Sequence, residues 1–512
     1  APVTLLAGNA PEVERLTAVA REGSVTLHWD NPALHSGVVV LRAADAAPNL
    51  APTPGRSYTA GNFVGNATVV YSDTAAFSAA SSFTDTNVVN GTTYYYRVHN
   101  ADDSRWYSAG NRPTSSALVA TPRARVAGAP LWCYSVGLDA RQQPITELGV
   151  GIYSAFNNSV VGNLTQTTNP AQDGAERWRP LPLSGFIGSR FPVVPLRGLT
   201  GQYILTADQA GIAYAINAST GQVHWRWDNG GAPIGTIQSF PVVQLHDFAN
   251  AAYQAAHPGR DLVFFATRLP NPAQNRVVAL NAATGAPVWT YQPGDLGMVS
   301  GGMVVDYATN RLYVGSMTHA ASTDSLRIIN SLTGVELARR PVGDIEVSLA
   351  RNSVTNHLLA TSSDGDVHAI DAATMAPVWT VHVADRPAPS TPAFTSFVRP
   401  QGGGFVASTA QGQVAFYNHT GPVTDPPTLV WSTPIPNPSG VFSINRNGVP
   451  RIYVGSSDGR VHQLELADGT DSQQVSIGGA QRIGTPTIDS GVGRLHVGSE
   501  DGRICAFPVP FP

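Results

Sequence analysis

The 512-residue chain carries a formal charge of -4, with 42% hydrophobic and 13% charged residues, and all 31 of its basic residues are arginine. No basic run favours nucleic acid or acidic lipid, and no apolar stretch approaches the roughly 18 residues of a membrane-spanning helix. With 50 Gly and 39 Pro, the composition suits short strands joined by tight turns and points to an all-β protein of two or more units.

The chain opens APVTLL instead of with Met, the start expected after removal of a secretory signal or after trimming. Six N-x-S/T sequons, at Asn66, Asn90, Asn157, Asn163, Asn217 and Asn418, arise readily in a chain rich in these residues and add little to a case for export. Residues 10–122 alternate apolar and polar in short runs: SVTLHWDNP, GVVVLRAA, ATVVYSD, SSFTDTNV, TTYYYRVHNAD and SALVATP. Such alternation predicts the strands of a sandwich, with Trp29 and Tyr94 in its core. The Trp29 strand, GVVVLR and NGTTYYYRV together resemble a fibronectin type III domain. The resemblance implies a tyrosine corner at Tyr94 and a spacing or docking role. TPRARVAGAP then reads as a linker, placed at 123–128.

From residue 129 to 512 an internal repeat dominates. GIAYAINASTGQVHWRWDNG, NRVVALNAATGAPVWTYQPG and GDVHAIDAATMAPVWTVHVA are each a hairpin whose second strand carries Trp. Further apolar strands precede each hairpin, giving four antiparallel strands per unit of about 40 to 50 residues, the pattern of propeller blades. Successive occupants of the Trp position are Trp132, Trp178, Trp225, Trp289, Ala338, Trp379, Trp431 and Gln473. That count predicts eight blades, with seven as the alternative because the unit ending at Trp178 is irregular. The indoles are expected to pack between neighbouring blades.

The pattern A-x-D-x-x-T-G-x-x-x-W, present as AINASTGQVHW, ALNAATGAPVW and AIDAATMAPVW, resembles the repeat of quinoprotein-type propellers. That superfamily contains dehydrogenases that bind pyrroloquinoline quinone and non-catalytic relatives such as the outer-membrane assembly lipoprotein B. The enzymes commonly carry adjacent cysteines and calcium ligands. Here the cysteines are far apart, and there is no C-x-x-C-H for covalent haem. The histidines show no H-x-H or H-E-x-x-H spacing for zinc. The S-D-G and E-D-G segments read as hairpin turns before they read as calcium ligands. Asp344 and Glu346, in GDIEVS, form the one carboxylate pair worth testing near a central channel. No catalytic, cofactor or metal residues are assigned.

GAPLWCYSVG matches GAPVWTYQPG of a complete blade, so it reads as a fourth strand whose first three lie at the C-terminal end. The ring is then closed by an N-terminal strand paired with residues around 503–508. Cys133 aligns with Thr290 and Cys505 with Val278, on facing strands, which predicts a Cys133–Cys505 disulfide and an oxidising compartment. The expected protein is an exported, non-enzymatic binding or scaffold protein: secreted, on the cell surface or periplasmic, without a cofactor, and docking a protein or extracellular polymer. Segments 138–150 and 162–176, HDFANAAYQAAHPGRD and NHTGPVTDPP are its candidate contact loops. The alternatives are a quinone- or metal-dependent oxidoreductase or lyase acting in the funnel, and a structural subunit of a surface assembly.

Overall fold

A computed structural model describes residues 10–73, 81–110, 117–165, 169–188, 190–320, 322–347, 349–352, 354–385, 399–401, 404–446, 448–479 and 481–511. The chain forms two compact units. One comprises Ala1–Ala140, Leu164–Ala175 and Ser499–Pro512, and the other Arg141–Asn163 and Glu176–Gly498. Nearly all regular structure is strand.

In the first unit, β1 (Glu14–Arg21), β2 (Ser24–Asp30), β3 (Gly37–Ala44), β4 (Phe63–Val64), β5 (Ala67–Ser72), β6 (Ser82–Asp85), β7 (Tyr94–Ala101) and β8 (Leu118–Ala120) make two sheets. Their orders are β1-β2-β6 and β4-β5-β3-β7-β8. Alternation in β2 buries Val25, Leu27 and Trp29, which pack with Val40, Tyr96 and Val98 of the facing sheet. The Tyr94 hydroxyl accepts a hydrogen bond from the Val89 amide at 2.9 Å, tying the start of β7 to the chain just upstream. The buried Asp85 carboxylate is satisfied by Arg42 at 2.8 Å and the Tyr96 hydroxyl at 2.9 Å.

The first sheet extends beyond β1. Strand β9 (Trp132–Ser135) pairs antiparallel with β1, Ala18 opposite Ser135 and Ala20 opposite Cys133. On its other edge β9 pairs with the C-terminal strand Arg503–Pro508, where Cys133 faces Cys505 and the two are disulfide-bonded. Strand β9 is therefore an interior strand between chain segments from opposite ends of the sequence. Arg21 of β1 also donates to the Asp173 carbonyl at 2.8 Å, holding the 169–175 turn to the same unit.

The second unit contains the four-stranded antiparallel sheets 145–182, 193–227, 242–291, 304–341, 350–382, 399–434 and 441–476, and strands Thr487–Asp489 and Arg494–Gly498. Sheets stack on both sides of each middle strand, so Val277–Leu280 and Leu262–Ala266 are buried on both faces and read as continuous apolar runs. Fourth strands are half-exposed. The first and last parts of the unit are neighbours: Gln143 donates to the Pro486 carbonyl at 3.0 Å, and the Gly149 amide to the Asp489 carboxylate at 2.8 Å.

Candidate functional site

The repeat motif becomes intelligible at the seams between sheets. In each N/D-A-x-T-G turn the first side chain accepts from the amides two and three residues on, as Asn217 does from Ser219 and Thr220, and Asn281 from Ala283 and Thr284. This turn leaves the carbonyl of the second residue pointing out of the sheet. The preceding sheet's Trp fills that vacancy: Trp178 donates to Ala218 at 3.0 Å, Trp225 to Ala282 at 2.8 Å, Trp289 to Ser331 at 3.0 Å and Trp431 to Leu466 at 2.8 Å. Trp379 reaches the Val423 carbonyl at 3.3 Å in an expanded turn, and within the first unit Trp132 reaches Thr165 at 3.4 Å. The turn glycine is fixed by the same contact. A Cβ on Gly285, whose φ is +72°, would lie 2.8 Å from the Trp225 ring. The Gly and the Trp that touch thus belong to different repeats, which motif spacing within one repeat does not reveal.

One seam departs from this scheme. Ala338 stands where the indole would be, and the next turn carries Met375 in place of Gly, at φ +66°. Met375 is buried in one cluster with Ile328 and Ile370, and Ala338 packs against that cluster, so at this seam the turn contributes a side chain where elsewhere the strand contributes an indole. The Ala372 carbonyl, in the position that accepts an indole elsewhere, is taken by the Tyr313 hydroxyl at 2.6 Å and by Arg311 at 2.8 Å.

Asp344 braces loops: its carboxylate accepts from the Thr318 amide at 2.6 Å, and its carbonyl accepts from the Ser363 amide at 2.8 Å. Glu346 is half-buried two residues on. The strongest ion cluster, which the sequence did not suggest, surrounds Arg327. Its fully buried guanidinium meets Asp295 at 3.1 Å and Glu336 at 3.2 Å, while Arg339 lies 2.6 Å from both carboxylates. Burial pushes both carboxyl groups up, but hydrogen bonds and charge from the two arginines outweigh it and hold them below the usual carboxylate range. Among the described residues, no group of three or more His, Cys, Asp or Glu is placed to hold a metal ion.

The candidate loops differ in character. The 245–261 segment is anchored by Asn250, which caps Ala251–Ala256 and donates to Ala308 at 2.7 Å, and by buried Tyr253, yet it leaves Phe248 74% exposed. In 162–176, residues 166–168 lie outside the described residues. In an antiparallel meander the turns after the first and third strands share one end of the sheet, and the Trp-to-turn contacts keep these ends aligned from sheet to sheet. Leu148, Phe248, Val335, Val354, Val423 and Val449, all exposed, stand at or beside these turns. The opposite end carries the polar Ser-Asp-Gly turns at Asp364 and Asp458.

A family model described as outer membrane protein assembly factor BamB matches residues 157–348 and 273–509. No curated protein matches. Among solved structures, the chain is similar to BamB from Moraxella catarrhalis at 17% identity, over 74% of this chain and 97% of that one, with a TM-score of 0.49. It is similar to the computationally designed Ika8 protein at 11% identity, over 73% of this chain and 98% of that one, with a TM-score of 0.52. Similarity to the quinohemoprotein alcohol dehydrogenase ADHIIG from Pseudomonas putida HK5 is 14% over 74% of this chain and 76% of that one, with a TM-score of 0.53. At such identities the latter two likenesses speak only to the fold, a β-propeller of stacked four-stranded sheets. Because the family matches jointly cover most of the sequence, the chain belongs to the family of the outer membrane protein assembly factor BamB.

Proposed function

We propose that this is an extracytoplasmic, non-enzymatic binding or scaffold protein that engages another protein through one end of its propeller. In this reading residues 10–122 are a fibronectin type III-type sandwich, 123–128 a connection, and 129–512 an eight-bladed propeller completed by β9 and the C-terminal strand. The sandwich strand order and the Tyr94 corner support the first assignment. Membership of an assembly-factor family and the Cys133–Cys505 disulfide support the function and the compartment.

The observation that carries the proposal is the distribution of exposed apolar side chains. Phe248, Val354, Leu148 and Val335 are 74, 73, 64 and 60% exposed, and all stand at the end formed by the turns after first and third strands. Apolar residues gathered on one end and held by anchored turns are what a protein contact surface requires. The seam residues, in contrast, are engaged in packing. The two cysteines are cross-strand partners instead of neighbours in sequence, and so provide no platform of adjacent cysteines for a quinone ring.

Site-specific photocross-linkers test the proposal. A benzophenone side chain at 248 or 354, introduced into the full chain in its native host, is expected to trap a discrete partner that the same group at 364 does not. Val335→Asp, on the same end, should abolish that adduct. Equal trapping from both ends, or none from 248 and 354, would refute the assignment.

A further inference from the structure

Next to the indole-free seam lies a cleft of about 320 Å³, lined by Arg340, Pro341, Val342 and Gly343 from one sheet and by residues including His368, Ile370, Trp379 and Thr380 from the next. Its volume is within the range of small-molecule sites. Ile370 belongs to the same cluster as Met375, against which Ala338 packs.

Arg340 is the feature that needs explaining. It stands two residues after the indole position, where the other repeats have Tyr134, Pro180, Trp227, Tyr291, Val381, Thr433 and Val475, none of them charged. The guanidinium is half-buried and donates to the Met375 carbonyl at 2.9 Å. Among the described residues it has no carboxylate partner, which leaves most of its donor fork unused. Opposite it, the His368 ring lies 3.1 Å from the Thr380 hydroxyl and 3.4 Å from that of Ser362. Burial holds this imidazole below its ordinary value, which disfavours a second cation, and both ring nitrogens are taken up by Thr380 and Ser362. Two acidic groups stand nearby: Asp366 is paired with His382 at 2.7 Å, and Asp364 is exposed beside Gly343. They disfavour a ligand carrying more than one negative charge. Pro341 and Pro377, both exposed, supply the apolar wall, with Val342, Ile370 and Trp379 buried behind them.

We propose that this cleft binds a small monocarboxylate on an apolar body, with the carboxylate on the Arg340 guanidinium and the body against Pro341 and Pro377. Arginine matches a carboxylate with paired N–H donors, and desolvation by the apolar wall strengthens that pairing.

Isothermal titration of the full chain at pH 7.5 and low salt, with 3-phenylpropanoate and the isosteric 3-phenylpropanamide, tests it. The acid should bind at least tenfold more tightly than the amide. Arg340→Gln should erase the preference, and Thr380→Trp, at an exposed position on the rim, should weaken the acid at least tenfold without changing the far-ultraviolet spectrum. Equal affinity for acid and amide, failure of both to bind, or an unchanged preference in Arg340→Gln would overturn the proposal.

Discussion

The Ala338–Met375 seam offers a quantitative test of how the repeat packs. Met375→Gly deletes a side chain that is only 7% exposed, and removing a buried Met of this kind costs about 2 to 5 kcal/mol. Part of that is returned, because φ at this position is +66°, a conformation that costs a residue with a Cβ about 1 kcal/mol. The net loss is then about 1 to 4 kcal/mol. Ala338→Trp alone forces an indole into a volume that Met375 already fills, for a loss of about 1 to 3 kcal/mol. If the residues share one volume, the double variant recreates the Trp225–Gly285 arrangement and recovers at least about 2 kcal/mol relative to the sum of the singles. The recovery comes from packing only, since Tyr313 and Arg311 already occupy the Ala372 carbonyl. Urea unfolding followed by far-ultraviolet circular dichroism, which an added Trp barely perturbs, measures the cycle. Additivity within about 0.5 kcal/mol would refute the shared volume.

Gly285→Ala should destabilise the chain by about 2 to 4 kcal/mol, combining the positive φ with displacement of the Trp225 ring, and Trp225→Ala should remove most of the displacement part; urea midpoints of the three variants check this. Asp295 and Glu336 have depressed carboxyl pKa values in the fold, so the stability they contribute is complete above about pH 5 and is lost as pH falls through and below about 4. Arg327→Met should cost about 2 to 4 kcal/mol at pH 7 and flatten that acid limb, as read from unfolding curves between pH 3 and 7. Replacing both cysteines by Ser frees a cross-link between positions 372 residues apart and should lower stability by at most about 5 kcal/mol, measured against the oxidised parent. Non-reducing peptide mapping that finds Cys133 and Cys505 as free thiols would contradict the linkage.

Fold class and repeat were legible because propeller blades repeat one local solution: the apolar third strand, the Asx-type turn and the Trp all recur in the sequence. The Cys133–Cys505 pair was legible for the same reason, since aligning both strands with Val278 and Thr290 puts them face to face, and these two residues are indeed cross-strand partners. Three features were not. Pairing of β1 with β9 depends on two strand edges of ordinary composition meeting in space. The Trp-to-Gly contact joins different repeats, so within one repeat the glycine looks like turn chemistry alone. The Arg327 cluster gathers residues 32 and 9 positions away in sequence with no shared motif.

Strand β9 also constrains the order in which the molecule is made. It emerges from the ribosome early, directly after the strands of the sandwich, and β1 covers one of its edges at once. Its other edge belongs to Arg503–Pro508, which is synthesised much later, Cys505 following Cys133 by 372 residues. Throughout elongation of the second unit that edge is an open row of backbone donors and acceptors, able to accept a strand from a neighbouring chain. Truncation before residue 503 would leave β9 paired with β1 on one side and with its other edge permanently open.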